Sequence, residues 1–285
     1  MARTDDLTAD EARAPARGHA ALPLPTFLGA LARGSMHAIV ILAVLVGWEV
    51  VARSGMVTPF MLPAFSAILE RIWTDATTGE LFINIGLTLY RALTGFFIAA
   101  AGGIVLGMAM SRSVGVNWLF DPIISVGFPM PKIAFLPVVI LWLGFYDVSK
   151  ISMVVLDAIF PVVTATLAGI RGVERELIWS ARNMGANDRE LLWQIIFPAA
   201  LPQIMTGLQV ALPIALIVAV VAEMMMGGYG LGGGMMTASR FADSRGVFAG
   251  IVEIAVVGYC LVKGMALIRR RLLLWHQEAL EPSTA

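Results

Sequence analysis

Several ionisable side chains stand inside otherwise apolar runs of this sequence, among them Lys132, Asp157 and Glu223. A charge surrounded by hydrocarbon is costly, so each must answer to a partner or a ligand. Lys132 is either an attractor for an anion or a structural lysine neutralised by an acid, with Asp157 the candidate acid. Glu223, near the end of its run, reads on its own as a solvated helix-end acid. Other chemistry has little equipment. There are three histidines, His19, His37 and His276, and one cysteine, Cys260, which sits in an apolar run as buried filler. No disulfide framework or cysteine metal site can be built from it. The sequence contains no Gly-x-x-x-x-Gly-Lys-Ser/Thr, no His-Glu-x-x-His and no Gly-x-Ser-x-Gly. Catalytic residues, a cofactor and a metal are therefore not expected. Energy for any transport must come from another chain or from a gradient.

The elements that position these residues follow from composition. The 285 residues are 58% hydrophobic and 14% charged, with a mean hydropathy of +0.82. A soluble domain carries about 25% charged residues, so this is an all-α polytopic membrane protein. The formal net charge of zero gives no reason to expect nucleic acid. Crossing about 30 Å of hydrocarbon takes about 20 residues, and closed backbone hydrogen bonding makes such spans helical. Six runs qualify: about Met36–Val51, Ala92–Ser111, Pro122–Phe145, Ile151–Ile170, Ile204–Met226 and Val247–Ile268. Residues 1–33 read as a disordered cytoplasmic tail, 34–275 as the transmembrane unit and 276–285 as a short C-terminal tail. Placing both termini inside puts twelve arginines in cytoplasmic segments, among them Arg112, Arg182 and Arg269–Arg271, against five basic residues outside.

Between the spans, Phe65, Ile68, Leu69, Ile72 and Trp73 recur at helical spacing and suggest an amphipathic helix on the outer face. The third run holds Pro129, Pro131 and Pro137 around Lys132, so it should be broken and kinked, as discontinuous spans lining a transport path often are. Gly103 and Gly107 form a small-residue pair suited to close helix packing. Residues 227–246 read as a flexible outer loop. Its Gly228-x-Gly230-x-x-Gly233 lacks the strand–helix setting of a dinucleotide site, and its Gly-Tyr-Gly lacks the neighbours of a potassium filter.

The most charged interior stretch is 174–203. It reads as two short helices: Glu174 to Met184, a left-handed turn at Gly185, then a second helix capped by Asn187 with Glu190 reaching back. Pro198 and Pro202 should end that second helix or kink the chain beyond it. Taken alone the stretch is either an ordinary loop or a docking element for a partner. Here a resemblance enters. Trp179-Ser180-Ala181, three residues, Gly185, nine residues and Ile195-Ile196-Phe197-Pro198 resembles the signature loop of ABC importer membrane subunits, Glu-Ala-Ala, Gly, Ile-x-Leu-Pro at the same spacing. Trp179 stands where that pattern has Glu, with Glu176 nearby as a substitute. The stretch Pro129–Pro137, the stretch Phe197–Pro202, Ala222-Glu223-Met224 and Val247–Ile251 resemble the nitrate/sulfonate/taurine branch.

The resemblance implies a type I ABC importer permease fold of six transmembrane helices in a bacterial inner membrane. It implies a small anion such as a sulfonate, taurine or nitrate as cargo. It implies as partners an ABC ATPase in two copies, an outer substrate-binding protein and a second permease copy forming a homodimer. It places ATPase coupling on Trp179, Ser180, Ala181, Arg182, Met184, Gly185, Ala186, Asn187 and Asp188, and candidate path residues at Pro131, Lys132, Asp157 and Glu223. The alternative is a self-contained secondary transporter or channel, which would need paired ionisable groups along one path and an inverted repeat.

Overall fold

The computed structural model describes residues 27–273, with side-chain surroundings from Ile39 onward, and every regular element among them is helical. The chain divides into a unit at residues 1–50 and a unit at 51–285. Helix α1 (Phe27–Arg53) begins in the first unit and lies over the first expected run. At 1.5 Å per residue its 27 residues measure about 40 Å, more than a bilayer core requires. Its first turns fall inside the stretch expected as a tail; the rest of that tail, and the C-terminal tail at 276–285, lie outside the described residues.

In the second unit, α2 (Phe65–Thr78) is the expected amphipathic helix, with Ile68 buried and Trp73 exposed. Then come α3 (Glu80–Arg112), α4 (Val114–Gly127), a 3-10 turn at Lys132–Phe135, α5 (Leu136–Leu143) and α6 (Asp147–Arg171). The polar stretch follows with α7 (Arg175–Asn183), the single turn α8 (Asp188–Glu190) and a π-helical segment at Leu191–Ile196. The chain closes with α9 (Phe197–Met226), α10 (Leu231–Arg240) and α11 (Ser244–Leu272). Among the described residues, four stretches are long and apolar enough to span a membrane, namely Glu80–Arg112, Asp147–Arg171, Asp188–Arg240 and Ser244–Leu272, and five if the bent pair Val114–Gly127 and Lys132–Leu143 is one span.

The centre is the triplet α3, α6 and α9, which share the main apolar core through Ala92, Phe96, Met153, Val154, Ala158, Ala215 and Ala219. Lipid is as apolar as leucine, so such contacts are won by close packing rather than by water exclusion. Glycines on α3 supply the approach. A Cβ on Gly95 would fall 2.5 Å from Val154, one on Gly103 2.8 Å from Val162, and one on Gly107 2.7 Å from Thr166. The expected small-residue pair is thus part of a longer seam along α6 that Gly95 extends.

The third run is broken at its prolines, as expected, into two helices meeting at 98°, because Pro129 and Pro131 remove two amide donors within three residues; three other expectations are corrected. Pro137, at the start of α5, costs nothing there. The second span is longer than its charge-free run and begins at Glu80. The outer segment 227–246 contains α10, so it is not a loop throughout. Cys260 is exposed rather than buried.

Candidate functional site

The polar stretch forms a capped helix pair. At its turn Gly185 has φ +90°, where a side chain is strained. The amides of Gly185 and Ala186 bond back to the carbonyls of Arg182 and Ala181 at 2.9 and 3.1 Å, the pattern of a Schellman stop. The capping box is complete: Asn187 Oδ1 accepts from the amides of Arg189 and Glu190, and the Asn187 amide donates to Glu190 Oε2 at 2.9 Å. Ala181 and Leu191 are buried inside the pair. Ile178, with Val173 and Ile170, packs onto Ala200 and Ile204 at the base of α9. Trp179, Met184 and Trp193 face outward, as do Ser180, Arg182 and Asp188; the last two approach to 3.5 Å.

The second helix of the pair does not stop at Pro198 as its sequence suggests. It runs through the π-helical turn into α9. Proline at 198 cannot donate to the carbonyl four residues back, and the wider π turn accommodates that without a break. The helix pair is therefore joined to a membrane span without a hinge loop.

At the broken span, Lys132 Nζ lies 3.0 Å from Asp157 Oδ1 and donates to the Phe128 carbonyl at 2.8 Å. In an unbroken helix the Lys132 amide would take that carbonyl, so the side chain of Lys132 satisfies what the break frees. The faces of Phe160 and Phe128 cover the ammonium at 4.7 and 5.7 Å. The break stands between two cavities. One, of about 640 Å³, is walled by Gly127, Met130, Lys132, Trp142 and Phe160. The other, of about 460 Å³, is walled by Asp121, Ser125, Phe128, Pro129 and Arg171.

Glu223 is fully buried, which overturns its reading as a solvated acid. Arg91 Nη1 sits 2.6 Å from Glu223 Oε1, the Thr88 hydroxyl donates to Glu223 Oε2 at 2.9 Å, and the Gly232 amide donates to Glu223 Oε2 at 3.1 Å. Arg91 also reaches Asp147 at 2.8 Å and the Tyr229 carbonyl at 2.7 Å. Truncating one partner of a buried pair leaves the other charge uncompensated, at about 3–5 kcal/mol. Nearby, Arg71 ties α2 to the start of α11 through Asp75 and Asp243. Partial burial works to lower its pKa, but the two carboxylates outweigh that and hold it above its ordinary value.

The candidates therefore fall in three places. The candidate coupling residues lie on the helix pair, Ala181 buried inside it and the others at its surface; Pro131, Lys132 and Asp157 meet at the broken span, and Glu223 belongs to a separate cluster. Arg91, Thr88 and Asn84 were not expected. Their signal is a polar stripe at i, i+4 and i+7 on one face of an apolar helix, easily lost because Arg91 abuts the charge-free run.

A helical membrane chain with a capped, outward-facing helix pair and a broken span between cavities is built as a transport subunit. It belongs to the family of binding-protein-dependent transport system inner membrane components, whose pattern matches residues 99–274. It is 35% identical over 236 residues to the taurine transport system permease protein TauC of Escherichia coli, covering 81% of this chain and 86% of that one. It is 36% identical over 244 residues to the putative aliphatic sulfonates transport permease protein SsuC of Bacillus subtilis, covering 85% and 88%. A solved amino acid ABC transporter chain shares the fold at a TM-score of 0.60 and 17% identity, covering 70% of this chain and 96% of that one. The chain is thus the multi-pass inner-membrane permease subunit of an ABC importer, a class that works with an ATPase and a substrate-binding protein.

Proposed function

We propose that this permease passes a small sulfonate, taurine or an aliphatic sulfonate, inward under the drive of an ATPase seated on Trp179, Ser180, Arg182, Met184, Gly185, Ala186, Asn187 and Asp188, with Ala181 buried beneath them as packing for the helix pair. The observation that carries the reading is the continuity of that helix pair with α9. Rotation of a docked ATPase is transmitted to the membrane without an intervening flexible link, a two-state coupling of separate sites. Residues 34–275 act as the membrane unit, with both termini in the cytosol and two copies side by side, each serving one of two ATPase subunits. The broken span forms part of the path. Pro131 fixes the elbow, and the ammonium of Lys132, balanced by Asp157 at rest, meets the anion as it moves between the two cavities. Glu223 serves the path indirectly, by holding its outer end together.

Support for the substrate class comes from the relatives TauC and SsuC and from the cation at the elbow. The test is vesicle uptake by the reconstituted permease, ATPase and binding protein, offered radiolabelled taurine and ethanesulfonate in parallel. ATP-dependent accumulation of either is expected. Accumulation of neither, by a complex that hydrolyses ATP when its binding protein is added, would overturn the substrate assignment.

A further inference from the structure

The backbone after α9 is held by side chains rather than by its own secondary structure. Over six residues, five backbone groups are taken by three different helices. Lys150 of α6 donates to the Gly227 carbonyl at 3.0 Å, and Arg91 of α3 donates to the Tyr229 carbonyl at 2.7 Å. The amide of Gly230 donates to Asn84 Oδ1 at 2.9 Å and that of Leu231 to Thr88 Oγ1 at 2.9 Å. The amide of Gly232 donates to Glu223 of α9. The holders are buried, and Arg91, Thr88 and Glu223 bond to one another. Gly227, Gly228 and Gly230 all have positive φ, so the chain follows no regular helix or strand until α10 begins at Leu231. Its fit is also tight: a Cβ on Gly230 would run into the Glu223 carboxyl, and one on Gly232 into the Val220 carbonyl.

We propose that residues 227–232 form a rigid cap bolted to α3, α6 and α9, with Arg91 as the positioning residue, and that the cap stays bolted throughout the transport cycle. The outer mouth then opens by movement between whole bodies, not by the glycine-rich segment lifting as a lid. Arg91 is suited to the role because one planar fork meets Glu223, Asp147 and the Tyr229 carbonyl together. The inference goes beyond the import reading, and its measurement uses no substrate, so the two can fail separately.

The test is amide exchange on the permease–ATPase complex in lipid nanodiscs, read on peptides covering 227–233, without nucleotide and trapped with ATP and vanadate. Slow exchange is expected in both states. In Arg91→Met, exchange there should rise at least about tenfold while peptides from the middle of α6 are unchanged. Arg91→Lys, which can still meet Glu223, should recover most of the protection. Should Arg91→Met fail to assemble, Thr88→Val removes the acceptor of the Leu231 amide and a donor to Glu223, and the same local rise is expected. Loss of protection in the wild type on trapping means the segment is a lid, and overturns the proposal. So does protection unchanged in the variant, or an Arg91→Lys complex as unprotected as Arg91→Met.

Discussion

Lys132 joins two requirements in one ammonium: it closes a carbonyl left open by the broken helix and balances Asp157, and in the proposed function it is also the charge that meets the anion. Removing it strands Asp157. An unpaired carboxylate at membrane depth costs about 2.5–3.5 kcal/mol on insertion scales, so Lys132→Met should lower the yield of assembled complex. Lys132→Met combined with Asp157→Asn should recover the yield, since no charge is stranded, yet leave uptake low. Detergent-extracted yield and vesicle uptake, measured side by side, separate the two roles. A double variant that imports normally would reduce Lys132 to a structural lysine. Both partners stood out in the sequence as lone charges in apolar runs, and their pairing follows from the cost of leaving either alone. The Arg91 cluster was less legible. Thr88 and Asn84 are unremarkable on their own, and only the fold brings Glu223 across from 132 residues away.

At the scale of elements, the coupling pair and the α3–α6 seam make separate predictions. In Gly185→Val a β-branched side chain meets a left-handed turn. Nothing lies within 4 Å of a Cβ there, so the strain is local. Insertion should be normal and ATP-driven uptake lost. Pro198→Ala restores an amide and lets the π turn relax to α-helix. Removing that one-residue excess rotates everything upstream by about 100° about the axis of α9. ATPase should still co-purify, while uptake per ATP hydrolysed falls; an unchanged ratio would show that the register of the turn carries no coupling. On the seam, Gly103→Leu should lower the melting temperature of the complex, whereas Gly86→Leu, with open space at its Cβ, should not. The helix stops and caps of the coupling pair were readable because they depend on local residue types, Gly185, Asn187 and Glu190. The passage of the second helix through Pro198 was not. Proline speaks against an α-helical bond, and the sequence does not announce that a π turn will absorb it. The elbow shows the same divide: the prolines mark the break in the sequence, but not its angle of 98°.

For the molecule as a whole, composition and hydropathy placed the spans, and loop charges suggested which way they face. The ends of the spans were misjudged where polar residues are buried in the protein, as at Asn84, Thr88 and Arg91, because hydropathy cannot distinguish a polar group in water from one satisfied by the fold. The division of labour follows from the same facts. The chain carries no nucleotide-binding sequence, and its rigid, capped polar projection is joined directly to a span of the central triplet. On the proposed reading, work enters through the helix pair at residues 179–188. The most direct measurement is uptake and ATP hydrolysis by the purified permease–ATPase–binding-protein complex in sealed vesicles, wild type beside Gly185→Val. Uptake strictly dependent on ATP in the wild type, and lost in the variant while the ATPase remains bound, is the expected result. Solute movement by the permease alone, without ATPase or nucleotide, or full uptake by Gly185→Val, would contradict it.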